Sequence, residues 1–148
     1  MTEYEHTQIG HVIVWFLFVP AVLFAINATA GSSPHRESLS VVSVVLLITL
    51  ALFYKLTIAI NQETLCASFG IGIIRKRVSV AEIVACEPIR TRWWYGWGIH
   101  LTPYGWLYNV LGLDAVAITL RNGKKFAVGT DDPQGLAAAI GDVINKRK

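Results

Sequence analysis

Two long apolar stretches, Ile9 to Ala30 and Leu39 to Tyr54, are followed by short alternations that run almost to the end of the chain. The first stretch, IGHVIVWFLFVPAVLFAINATA, carries no charge over 22 residues. As a helix it would reach about 33 Å at ~1.5 Å per residue, enough for a hydrocarbon core of ~30 Å. Pro20 would kink it, which is tolerable where neighbouring groups satisfy the freed carbonyl. The second stretch closes on Tyr54 and Lys55, an interfacial ring followed by a cation able to snorkel. Between them GSSPHRES reads as a tight turn. The pattern predicts a transmembrane helical hairpin over residues 1–55, with spans at 9–30 and 39–55. The opening carries Glu3 and Glu5 in place of a basic signal-peptide start, so the first span is expected to be retained.

After Lys55 the period shortens to that of strands. Leu56, Ile58 and Ile60 alternate with Thr57 and Ala59, and Leu65, Ala67 and Phe69 alternate with Cys66 and Ser68. Extended pieces follow at 73–78 and 83–89. Val116, Ile118 and Leu120 share one face and lead into Arg121-Asn122-Gly123-Lys124, a hairpin signal in which both central positions favour positive φ. Asp132 and Pro133 open a last helix whose apolar face is Leu136, Ile140, Val143 and Ile144, ending in Lys146-Arg147-Lys148. The expected architecture is α+β: the membrane hairpin, then a small antiparallel β-barrel or sandwich over residues 56–148, capped by the C-terminal α-helix.

Charge gives this split a direction. Residues 1–54 hold one Arg and three Glu, a balance of −2, whereas residues 55–148 hold twelve Lys and Arg against seven Asp and Glu, a balance of +5. The loop between the spans contributes Arg36, while Lys55, Arg75, Lys76 and Arg77 follow the second span. Both termini are therefore expected in the cytoplasm, in a multi-pass protein of the inner (plasma) membrane. Cys66 and Cys86 then face a reducing compartment and require no disulfide.

Several segments carry a family resemblance. Thr64 to Arg77, TLCASFGIGIIRKR, resembles the second hairpin of bacterial pleckstrin-homology-like domain proteins, and Ser79-Val80-Ala81-Glu82-Ile83 resembles their turn into the fourth strand. The stretch WWYGWGIHLTPYGWLYNV from Trp93 to Val110 is similar to a subgroup of small membrane-anchored members. So are Gly112 to Val116, Asn122 to Phe126 and Val128 to Asp131. His100 stands where that pattern has Arg. The resemblance covers nearly everything after Lys55. It implies a pleckstrin-homology-like fold and no activity.

The aromatic segment is the strongest candidate for function. Trp93, Trp94, Trp97 and Trp106 fall within 14 residues, beside Tyr95, Tyr104 and Tyr108 and close to Arg90 and Arg92. These rings suit three roles: core filling in a small domain, an interfacial belt, or a protein-docking patch. A second candidate set, Arg75, Lys76, Arg77, Lys124 and Lys125, suits anionic lipid headgroups. No Ser/His/Asp or Cys/His constellation, metal-ligand spacing or phosphate-loop pattern stands out, so no enzyme, cofactor or metal is expected. Nucleic acid is not an expected partner either. The expectation is a non-catalytic scaffold or accessory subunit that sits in the bilayer and docks a protein partner or a second copy of itself. The alternative is a lipid-responsive module.

Overall fold

The computed structural model describes residues 2–30 and 34–146. Residues 31–33 of the inter-helix turn and Arg147-Lys148 of the basic tail lie outside the described residues. The fold is α+β, with nine strands and three α-helices among the described residues. It opens with a strand, β1 (Thr2–Ile9), where the sequence pattern suggested only a flank to the first span. The reason is chemical. The inward positions of β1 are Tyr4, His6 and Gln8, so no apolar alternation betrays it. Instead, buried Gln8 donates Nε2–H to the Gly129 carbonyl at 2.5 Å, and His6 Nε2 meets Asp131 Oδ1 at 2.5 Å.

Helices α1 (His11–Ala30) and α2 (Arg36–Phe53) follow, both long and apolar enough to cross a membrane. Only 17% and 6% of their apolar windows are buried, so neither helix is enclosed by the rest of the fold. They touch through small residues. Ala21 and Ala28 are buried, and buried Ser43 donates its hydroxyl to the Ala21 carbonyl at 2.8 Å. Other polar groups bond within their own helix, as Asn27 does to Leu23 and Thr49 to Val45. Tyr54 caps α2, and Lys55 already belongs to the next strand.

Strands β2 (Lys55–Asn61), β3 (Thr64–Phe69) and β4 (Arg75–Ser79) complete an antiparallel sheet in the order β1-β2-β3-β4. Residues 70–74, partly read as extended from sequence, form the β3–β4 turn. A short 3-10 turn (Val80–Glu82) then leads to the second sheet. This comprises β5 (Ile83–Arg90), β6 (Gly98–Thr102), β7 (Gly105–Asn109), β8 (Asp114–Leu120) and β9 (Lys125–Gly129). Its order is β5-β8-β9-β7-β6, and the β7–β9 pair is parallel, so the sheet is mixed rather than purely antiparallel. In the Asn-Gly turn only Gly123 has positive φ (80°). Leu120 N–H bonds Lys124 O across a three-residue loop, which needs a single left-handed position.

The core lies between the sheets, where Leu56, Ile58, Phe69, Val116, Ile118 and Val128 are all buried. Helix α3 (Pro133–Asn145) seals one side through Leu136, Ile140 and Val143, with Asp132 Oδ1 accepting the Gly135 N–H at 2.9 Å. The helical hairpin is joined to this body without a linker. Ile9 pairs with Lys55, and Gly10 N–H donates to Tyr54 O at 2.9 Å. Gly70 seats the β3–β4 turn against the end of α2. Its φ is +49°, and a Cβ there would overlap the Ala51 and Leu52 carbonyl oxygens.

Gly70→Ala therefore combines a left-handed penalty with a backbone clash. It is expected to lower stability by about 2–4 kcal/mol, measured by chemical unfolding in detergent, whereas Gly72→Ala, with open space around its Cβ, should lose less.

Candidate functional site

One end of the body gathers most of the exposed apolar side chains, and it is the end from which the helices leave. Three contacts define it. Gly10 packs against the Val110 carbonyl at the end of β7, where a Cβ would come within 2.6 Å. The β3–β4 turn abuts the last turn of α2 through Gly70. Thr91, just after β5, ties to Leu113 through both its N–H (2.6 Å) and its hydroxyl (2.8 Å). The link from Thr91 to β6 thus runs across this end, carrying Trp93, Trp94, Tyr95 and Trp97.

The aromatic candidates divide into two groups. Trp93, Trp94, Trp97 and Trp106 are 75%, 55%, 44% and 51% exposed, so the indoles do not fill the core. The tyrosines are half-buried. Tyr95 and Tyr104 lie on the outer face of the second sheet, against Leu107, Ala115 and Ala127, where the two alanines leave room for flat rings. Tyr108 points inward. It joins Phe53 and Phe69 to Phe126 in a file of ring contacts with centroids 5.5, 6.2 and 6.4 Å apart.

Around the helix base, Trp93 and Trp94 meet edge-on at 5.8 Å, with the Arg92 guanidinium 4.8 Å from the Trp94 ring centroid. The β3–β4 turn adds Ile71 and Ile73, 62% and 69% exposed, which sequence reasoning passed over. Ile71 lies between Gly70 and Gly72 and Ile73 follows Gly72, just before a basic run, and their signal was apolar side chains in a turn, where solvation predicts polar ones. A groove of about 420 Å³ lies between the helices and the start of β6. Val12, Phe16 and Leu17 line it from α1, Phe53 from α2, and Trp97 and Ile99 from the other side.

Trp106 stands apart from this group. It pairs with Leu101 across β6–β7 towards the opposite end, and both side chains are exposed. Arg90, exposed at the end of β5, pairs with Asp114 near the helix base.

The cationic candidates are likewise separated. Arg75 pairs with Ser68 beside the helix end and is exposed, as is Arg77 further along the same edge strand. Lys76 turns inward, its ammonium 5.9 Å from the Phe126 ring centroid. Lys124 and Lys125 belong to the β8–β9 turn and the start of β9, at the far end. The five cations therefore form no single patch. Lys55, with its ammonium 5.4 Å from the Tyr54 ring centroid, lies at the helix base and joins Arg75 there.

Among the described residues no three His, Cys, Asp or Glu side chains converge as metal ligands would. Cys66 and Cys86 are free thiols, and Cys86 Sγ–H donates to the Ala137 carbonyl at 3.5 Å. Burial pushes the Cys86 thiol and the Tyr108 phenol above their ordinary values. Tyr4 is raised by burial first and then by the Asp132 and Asp131 carboxylates. No family model matches the chain, and no curated protein or solved structure matches it either.

Two outcomes follow from this site. Trp93→Ala and Trp94→Ala should each change stability by about 0.5 kcal/mol or less, while Tyr95→Ala should cost about 1–2 kcal/mol by unfolding in detergent. Groups with raised values stabilise the fold below their unfolded values, and that contribution is lost as pH rises through the folded ones. The thermal midpoint should therefore fall as pH climbs above the ordinary thiol value of 9.0, and Cys86→Ala should delay the onset towards the tyrosine value of 10.0.

Proposed function

We propose that the protein is a non-catalytic, membrane-anchored module whose pleckstrin-homology-like domain rests on the cytoplasmic leaflet and responds to its lipids. One observation carries this reading: the exposed rings and isoleucines share one end of the body with the two apolar helices. Trp and Tyr favour the headgroup layer, and a body held there by unbroken chain would press Trp93, Trp94, Trp97, Ile71 and Ile73 into it. Lys55, Arg75 and Arg92 at the same end suit anionic headgroups, at about 1 kcal/mol for each well-placed cation. The charge asymmetry of the sequence supports the cytoplasmic orientation.

A second reading is favoured by a separate observation. Leu101 and Trp106 are exposed on the edge pair β6–β7, away from the helix base, where a protein partner would meet them in water. Under this reading the module is the scaffold or accessory subunit of a membrane complex.

Single-tryptophan variants reconstituted in vesicles separate these faces. Trp94 should resist quenching by aqueous acrylamide and stay protected at high salt, whereas Trp106 should remain accessible. Equal accessibility of the two indoles would sink the seated arrangement. For the scaffold reading, Leu101→Ser with Trp106→Ala should release any stoichiometric partner recovered in mild detergent, without lowering the thermal midpoint.

A further inference from the structure

The groove between the helix base and β6 has an occupant that its chemistry selects. We infer that it binds one acyl chain of an anionic phospholipid, with the phosphate held at the rim by neighbouring cations. This rests on the membrane-seated reading above. The lining makes little polar demand. The Thr49 hydroxyl already bonds the Val45 carbonyl at 2.8 Å, and His100 Nε2 already lies 2.5 Å from Trp97 O. The other lining side chains are apolar apart from the Trp97 indole N–H, and no carboxylate stands among them.

Two walls of the groove come from α1 and α2, whose outer faces would lie in hydrocarbon, so the groove opens towards lipid tails. A groove lined by Phe, Leu, Val and Ile favours an apolar occupant, because covering those side chains removes apolar surface from water. Cations follow or precede the lining residues closely along the chain. Lys55 stands two residues beyond Phe53 of the lining, and Arg92, its guanidinium 4.8 Å from the Trp94 ring centroid, stands five residues before Trp97. An ordinary zwitterionic lipid would offer the same tail but no net charge to these cations.

Quenching by brominated acyl chains tests both parts. Two variants of the full chain are reconstituted in vesicles, one keeping only Trp97 and one keeping only Trp15, which is exposed on α1. The probes are acyl-brominated phosphatidylglycerol and acyl-brominated phosphatidylcholine, each diluted into unlabelled phosphatidylcholine. Trp15 should be quenched equally by both probes, reporting bulk lipid. Trp97 should reach half-quenching at about a fivefold lower mole fraction of the phosphatidylglycerol probe. Thr49→Phe, which fills the groove, should abolish that difference and leave Trp15 unchanged.

If Trp97 responds equally to both probes, or is not quenched while Trp15 is, the proposed lipid site is overturned. If Thr49→Phe folds and the preference persists, the site lies elsewhere and the inference also fails. A Trp15 silent to both probes would instead overturn the membrane-seated reading. The comparison of the two probes on Trp97 needs no groove variant, so it stands even if Thr49→Phe does not fold.

Discussion

The backbone pairing of β1 with β2 is the constraint on which the rest depends. Ile9 and Lys55 face each other in register, and Gly10 N–H closes on Tyr54 O one step further. Two apolar helices therefore rise from adjacent strands ~4.8 Å apart and separate to a helix packing distance of ~8–10 Å. No flexible segment intervenes, so the direction of the hairpin relative to the sheets is set by hydrogen bonds. Gln8 and His6 extend that attachment to the second sheet through Gly129 and Asp131. If β1 detached, α1 would lose its fixed point.

Once the hairpin is tied there, the chain turns at that end inherit its surroundings. The β3–β4 turn lies beside α2 because Gly70 leaves no side chain between them. The β5–β6 link lies beside α1 because Thr91 is bonded to Leu113 and the start of β6 walls the groove. Phe53, Phe69, Tyr108 and Phe126 form a continuous file of rings from the last turn of α2 into the core. Packed rings transmit displacement because a close-packed interior has little free space to absorb it. The helix base and the core between the sheets are therefore in continuous packing contact.

The same geometry sorts the side chains by role. Indoles at the helix end and the β3–β4 isoleucines face outward, while Tyr95 and Tyr104 cover the alanines of the second sheet's outer face. The basic residues grouped as one candidate set fall at opposite ends, since β8 carries its turn to Lys124 away from the hairpin. Arg75 and Lys55 remain beside the helices, and Lys76 turns inward over Phe126. The exposed side chains thus differ from end to end: indoles, isoleucines and Arg75 at one, the Leu101–Trp106 edge with Lys124 and Lys125 towards the other.

Local patterns determined a good deal of this. The two apolar helices, the alternations of β2, β3 and β8, the Asp132 cap and the apolar face of α3 were all legible because each follows a short period set by its own backbone. The aromatic segment was legible as a candidate, but its placement was not. Whether an indole is core or surface depends on which sheet face it meets, and only tertiary structure decides that. β1 escaped notice because its inward side chains are polar, with partners more than a hundred residues away. The parallel β7–β9 pair, the turn isoleucines and the groove were also hidden, since each requires segments distant in sequence to arrive at one place. The sequence alone determined the periods and the charges, which are properties of neighbours along the chain. The fold decided which end they share, because that depends on strand register and on glycines that let backbones touch.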